Sequence, residues 1–238
     1  MSLGAKFINF YLKALRFNRM FVDMEASKGD KVGFEQIVVK ARKLEDSKIP
    51  PKKKFKNHEI SQFIIDNHKT HLFRNKNSNK KLLIYFHGGA YVKGPMALQW
   101  QALTDIANNI THDIAVLDYP KTPEYTWKET IGYCVQVFDR FLKEYGEKDI
   151  VFLGDSAGGG LSLSTCMSLR DMGNPMPMRM ILLSPWLDVS MAHKEILNYE
   201  DKDFILTVGG LIECGLAYSG GIDTKDWRVS PLYGDLSG

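Results

Sequence analysis

Ser156 stands in the stretch Gly154-Asp155-Ser156-Ala157-Gly158, and His87-Gly88-Gly89-Ala90 closes an apolar run earlier in the chain. A serine held between a strand and a helix by small neighbours can be pushed out above a sheet, where its hydroxyl attacks an ester or amide carbonyl. It can also be an ordinary helix cap. The glycine pair has two readings as well: a plain turn, or backbone brought close to a ligand. Acyl transfer would use the second, because negative charge develops on the carbonyl oxygen and each preorganised N–H aimed at it is worth about 3 kcal/mol. The expected donors are Gly88, Gly89 and Ala157, the last at a helix start whose dipole favours an anion. His87 and Asp155 are expected to support the site. His87 precedes the glycines and is read as holding their loop and not as the general base. The two motifs coincide by chance in roughly one such chain in a few hundred.

Positioning these groups requires strands that end where the motifs begin. The runs KLLIYFH (81–87), DIAVLDY (113–119), DIVFLG (149–154) and RMILLS (179–184) read as buried strands. Helical patterns lie between them at 96–108, 126–145 and 157–172. Such alternation predicts a parallel sheet with helices on its faces and its sites at the carboxyl ends of the strands. Two earlier runs, 60–66 and 70–74, predict a hairpin turning at Asn67-His68-Lys69. Beyond Ser184 the pattern gives loops and one or two short helices.

Composition is ordinary for a globular chain: 238 residues, 44% hydrophobic, 25% charged, net charge +3. The charge is unevenly placed, with 18 Lys+Arg against 8 Asp+Glu in residues 1–80 and 13 against 20 in the rest. The densest piece, PPKKKFK from Pro50, reads as a solvated surface segment, since no helix-turn-helix or base-stacking pattern accompanies it, and no nucleic-acid partner is expected. Phe7, Phe10, Tyr11, Ala14, Leu15 and Phe17 recur at helical spacing in a basic N-terminal segment, which predicts an amphipathic helix docked on its own protein or on a membrane surface. Neither a signal-peptide core nor a membrane-spanning run is present in it. Cys134, Cys166 and Cys214 read as buried free thiols of a reducing, cytoplasmic compartment. No metal-ligand spacing, GxGxxG or P-loop occurs, so no metal or organic cofactor is expected.

HGGA (87–90), GDSAGG (154–159) and LLSPWLDVS (182–190) resemble the hormone-sensitive-lipase-like esterases, a branch of the α/β-hydrolases. LDYPKTPEYTW (117–127) and RVSPLYGDLSG (228–238) resemble further stretches of that family. The resemblance implies an α/β fold: a mostly parallel central sheet, helices on both faces, a helical cap, and the last strands missing. It divides the chain into a basic cap segment (1–57), a hydrolase core (58–189), and cap helices with a lead-in to further core (190–238). It implies a serine carboxylesterase that forms an acyl-enzyme on Ser156 and takes small-molecule or lipid esters. The family's catalytic acid and histidine fall after its seventh and eighth strands, and both are expected to be absent from these 238 residues. Asp188 and His193 come in the right order after Ser156, yet five residues do not span two separate strand ends. A non-catalytic small-molecule binder on the same fold is the alternative expectation. The 179–184 strand is expected to be an uncovered sheet edge.

Overall fold

A run such as Leu82–Phe86, apolar at every position, has no polar side to turn to water and must be covered on both faces. The computed structural model, which describes residues 18–43, 50–200 and 202–237, covers it in that way. The predicted helix over residues 7–17 lies outside the described residues.

Among the described residues six strands form one sheet: β1 (His58–Ile65), β2 (His68–Asn75), β3 (Leu82–Phe86), β4 (Asp113–Leu117), β5 (Ile150–Asp155) and β6 (Arg179–Leu183), in the order β1-β2-β4-β3-β5-β6. β3 runs parallel to β4 and β5, and β5 parallel to β6, while β1 and β2 add an antiparallel edge. Helices α1 (Arg19–Ala26) and α2 (Lys31–Lys43) precede the sheet. The helices α3 (Ala97–Asn109), α4 (Trp127–Tyr145) and α5 (Ala157–Asp171) alternate with the parallel strands, and α6 (Leu197–Glu200) and α7 (Val208–Ser219) follow β6.

Period-two alternation sorts β3 between two cores. Leu82, Ile84 and Phe86 join Phe138 and Phe141 of α4 and Leu161 and Leu169 of α5. Leu83 and Tyr85 point the other way, onto Trp100, Leu103 and Ala107 of α3 and onto Phe55. A third cluster lies over the loop that follows β3: Phe21 and Met24 of α1, Phe34 and Val38 of α2, and Leu211 and Cys214 of α7 enclose Ala90 and Val92. Among the described residues no helix is long and apolar enough to cross a membrane.

Two expectations need adjusting. The hairpin turns at Asp66-Asn67, with φ of 46° and 65°, so His68 and Lys69 belong to β2. A two-residue turn with both φ positive matches strand twist, and Asp and Asn tolerate that backbone. Cys134 and Cys214 are buried, whereas Cys166 on α5 is only half-buried; all three are free. β6 is a sheet edge as expected, and Ile181 and Leu183 on it are 47% and 50% exposed.

Candidate active site

Parallel pairing of β3 with β5 places Phe86 opposite Gly154, so the two glycine-rich motifs leave the sheet side by side at its carboxyl end. Ser156 follows β5 directly, at φ 50° and ψ −122°, and α5 begins at the next residue. A cap would adopt extended backbone and accept an N–H of the first turn, but Ser156 makes no side-chain capping bond. Its backbone is held from three directions. The Ser156 N–H donates to the Leu183 carbonyl at 3.1 Å, and its carbonyl accepts from Gly159 at 3.0 Å and from Trp186 at 2.8 Å. That over-determination lets a non-glycine residue sustain a conformation costing about 1–3 kcal/mol. Close approach of α5 to β3 explains the glycine two positions on: a Cβ on Gly158 would lie 2.0 Å from the Phe86 carbonyl oxygen.

Asp155, beside the serine, ties three elements together. Its Oδ1 accepts from the Tyr85 hydroxyl of β3 and from the Gly88 N–H at 3.0 Å. Its Oδ2 accepts from Gln99 Nε2 of α3 at 2.8 Å, and Gln99 Oε1 in turn accepts from the Met96 N–H at 2.7 Å. Burial, and then the adjacent carboxylate, push the Tyr85 phenol well above its ordinary range, so it serves only as a donor. Gly88 packs directly on the serine, where a Cβ would stand 2.5 Å from Asp155 Oδ2 and 3.1 Å from the Ser156 Cβ.

The sequence reading of the donors shifts as a result. The Gly88 N–H, expected to face a reacting oxygen, is committed to Asp155. Among the described residues no hydrogen bond engages the N–H groups of Gly89, Ala90 or Ala157. Ala90, with φ 53°, was not marked by its residue type; Gly89 has φ 128°.

His87 is wholly buried and stacks on Tyr119 with ring centroids 4.2 Å apart. Its Nδ1 lies 2.8 Å from the Gly88 carbonyl, an acceptor, so Nδ1 carries the proton; among the described residues Nε2 has no partner. The Tyr119 hydroxyl donates to the His87 carbonyl at 2.6 Å. Burial, and secondarily Lys121, pull the imidazole down to about 4. The unfolded chain therefore takes up this proton first on acidification. Stability is unaffected above about pH 6.5 and falls between there and about pH 4, with a slope approaching about 1.4 kcal/mol per pH unit. His58, His68, His71 and His112 are lowered too, chiefly by burial, and act with the same sign. Imidazole nitrogen NMR at pH 5.5 should show His87 as the neutral Nδ1–H tautomer. Titration near 6.5 would contradict this.

Asp188 and His193 line one surface depression, but among the described residues no hydrogen bond or ion pair joins them. The Asp188 carboxylate accepts from Ser190 (N–H at 2.9 Å, and the hydroxyl) and from the Tyr233 hydroxyl at 3.0 Å. His193 is exposed, and its Nδ1 lies 3.4 Å from the Glu195 N–H. A cleft of about 550 Å³ also opens at the carboxyl end of the sheet, with walls that include His71, Gly94, Trp100, Tyr119 and Lys121. Its lining does not include Ser156.

Residues 83–238 match the family model described as the alpha/beta hydrolase fold. An esterase of Acinetobacter venetianus is 31% identical over 164 residues, covering 68% of this chain and 54% of the relative. An acetyl-hydrolase of Streptomyces hygroscopicus is 28% identical over 160 residues, covering 66% and 53%. The crystal structure of a hormone-sensitive-lipase homologue from a metagenome library superposes with a TM-score of 0.78 at 26% identity, covering 98% of this chain and 74% of that one. The chain spans about half the length of these two curated relatives.

Proposed function

The chain belongs to the α/β-hydrolase fold family, and from that premise we propose that it carries the nucleophile and oxyanion hole of a serine carboxylesterase. The observation that carries this reading is Ser156 itself: a non-glycine residue at φ 50° between β5 and α5, its hydroxyl uncommitted to the helix, beside a loop whose Gly89 and Ala90 N–H groups meet no acceptor among the described residues. The names of the esterase and acetyl-hydrolase relatives support an ester as the substrate class.

In the proposed reaction the Ser156 Oγ bonds to the carbonyl carbon of the ester while its proton passes to a base. The carbonyl oxygen becomes an oxyanion, stabilised by the N–H groups of Gly89, Ala90 and Ala157. Collapse expels the alcohol, which takes the proton back from the base, and water then releases the acid from the serine by the same steps. Gly88 and Asp155 hold the hole in register with the nucleophile, and His87 braces the loop as a neutral group. His87 is unsuited to be the base, being buried and bonded to the loop it supports. The reading therefore requires a histidine and its orienting acid from beyond the described residues, where the family resemblance puts them.

Residues 1–57 together with α7 are proposed as the cap, which the cluster of α1, α2 and α7 over Ala90 and Val92 supports. Three free thiols fit a reducing, cytoplasmic setting. Intact-mass analysis of the natural protein after treatment with a fluorophosphonate tests the assignment. One adduct is expected, on the peptide bearing Ser156. A protein that stays unmodified while binding a small molecule would overturn the enzyme reading in favour of a binder.

A further inference from the structure

Arg42 lies on α2, far in sequence from the residues of the site, yet its guanidinium ends on the loop that carries Gly89 and Ala90. Nε donates to the Val92 carbonyl at 2.6 Å, Nη2 to the Thr122 carbonyl at 2.7 Å, and Nη1 to Glu124 Oε1 at 2.6 Å. All three acceptors belong to two stretches already stitched together, since the Thr122 N–H donates to the Tyr91 carbonyl at 2.9 Å. Val92 is wholly buried, and its own N–H returns to the Gly89 carbonyl at 3.0 Å. The loop is therefore anchored at Gly88 by Asp155, at Tyr91 by the Thr122 N–H, and at Val92 by Arg42, which also holds the Thr122 carbonyl.

Gly89 and Ala90 lie between those anchors. Ala90 and Tyr91 hold φ of 53° and 61°, a backbone that non-glycine residues keep only under constraint. A loop with such residues relaxes if one anchor is released, and relaxation would turn the N–H groups of Gly89 and Ala90. Arginine suits this position because its planar fork addresses a carboxylate and two carbonyls at fixed angles, which the single ammonium of lysine does not.

We propose that Arg42 is a positioning residue for the oxyanion hole, linking the α2 segment to the geometry of the Gly88–Lys93 loop. The proposal rests on reading that loop as the oxyanion hole. It acts through the orientation of Gly89 and Ala90, with no contact between Arg42 and the reacting atoms required. Misplacing catalytic donors by about 1 Å can cost about 100-fold in rate. Arg42→Ala in the full-length protein is accordingly expected to lower kcat on a p-nitrophenyl ester by about 10- to 100-fold, with KM nearly unchanged. Fluorophosphonate labelling of Ser156 should slow in proportion.

Guanidinium ion at non-denaturing concentration should restore part of the kcat of Arg42→Ala and leave the wild type unaffected, while Arg42→Lys should stay impaired. A merely structural tie between helix and core would lower the melting temperature without the kcat loss or the rescue, and that result would overturn the proposal. If Arg42→Ala fails to unfold cooperatively, Arg42→Lys carries the same kcat and labelling comparison, and wild-type values for it would be equally damaging. A wild type that labels normally while the variants label just as fast removes Arg42 alone. A wild type that does not label removes the oxyanion reading, and the proposal with it.

Discussion

Replacing Ser156 with alanine is expected to lower turnover of a carboxylic ester by about 10⁶-fold, the loss seen when the nucleophile of an intact serine triad is removed. Alanine keeps the Cβ that Ser156 places 3.1 Å from the Cβ position of Gly88, and it leaves every hydrogen bond around the turn in place, because those bonds are made by backbone. The melting temperature should therefore stay within a degree or two of wild type, about what a substitution without lost contacts allows. KM should change little, since the hydroxyl contributes to the transition state and hardly to ground-state binding. The comparison needs steady-state rates of the natural full-length protein on a short-chain ester and thermal unfolding of both proteins. Retention of activity by the alanine variant would move the chemistry to another residue and sink the assignment.

Gly158→Ala should act on the fold instead. The added methyl would meet the Phe86 carbonyl oxygen at 2.0 Å, its carbon at 2.5 Å and the His87 oxygen at 2.6 Å, all of them backbone atoms that no rotamer change can move aside. Either α5 lifts from β3 or the end of β3 shifts, and both options disturb the core and the Gly88 loop together. Overpacking of this kind costs about 3 kcal/mol or more, which for a chain of this size is a drop of roughly 6–12 °C in Tm. Gly132, in the middle of α4, supplies the control: nothing lies within 4 Å of a Cβ there, so Gly132→Ala should stabilise by about 0.5–1 kcal/mol. Urea unfolding of the two variants checks both signs, and a Gly158→Ala protein as stable as wild type would show that the close approach is not real.

Much of this arrangement was legible in the residue order. Strands alternating with helices, and the two glycine motifs at strand ends, follow from local periodicity and turn chemistry, which depend on neighbours only a few residues apart. The part that was not legible depends on contacts distant in sequence. That Asp155 claims the Gly88 N–H, and that Tyr85 and Gln99 complete its shell, involves partners 67, 70 and 56 residues away. One clue was present: a carboxylate closing a buried apolar strand must find donors, and the nearest strand ends offer them. Arg42 gave no such clue, since a lone arginine on an amphipathic helix is ordinarily a solvated one. The hairpin turns one residue before the expected start and β2 begins two residues early, because Asp66 reads equally well as the end of a strand or the first residue of a turn.

Selection for stability and selection for chemistry weigh Ser156 in opposite directions. The backbone at φ 50° is one that glycine occupies freely and serine does not. A chain optimised for thermal endurance alone would carry glycine there and gain from the exchange. Serine at this position is a standing penalty against the fold, tolerable only while the hydroxyl returns something of greater value. Automated stabilisation of this protein would flag the residue early, and accepting the change would trade the proposed nucleophile for a few degrees.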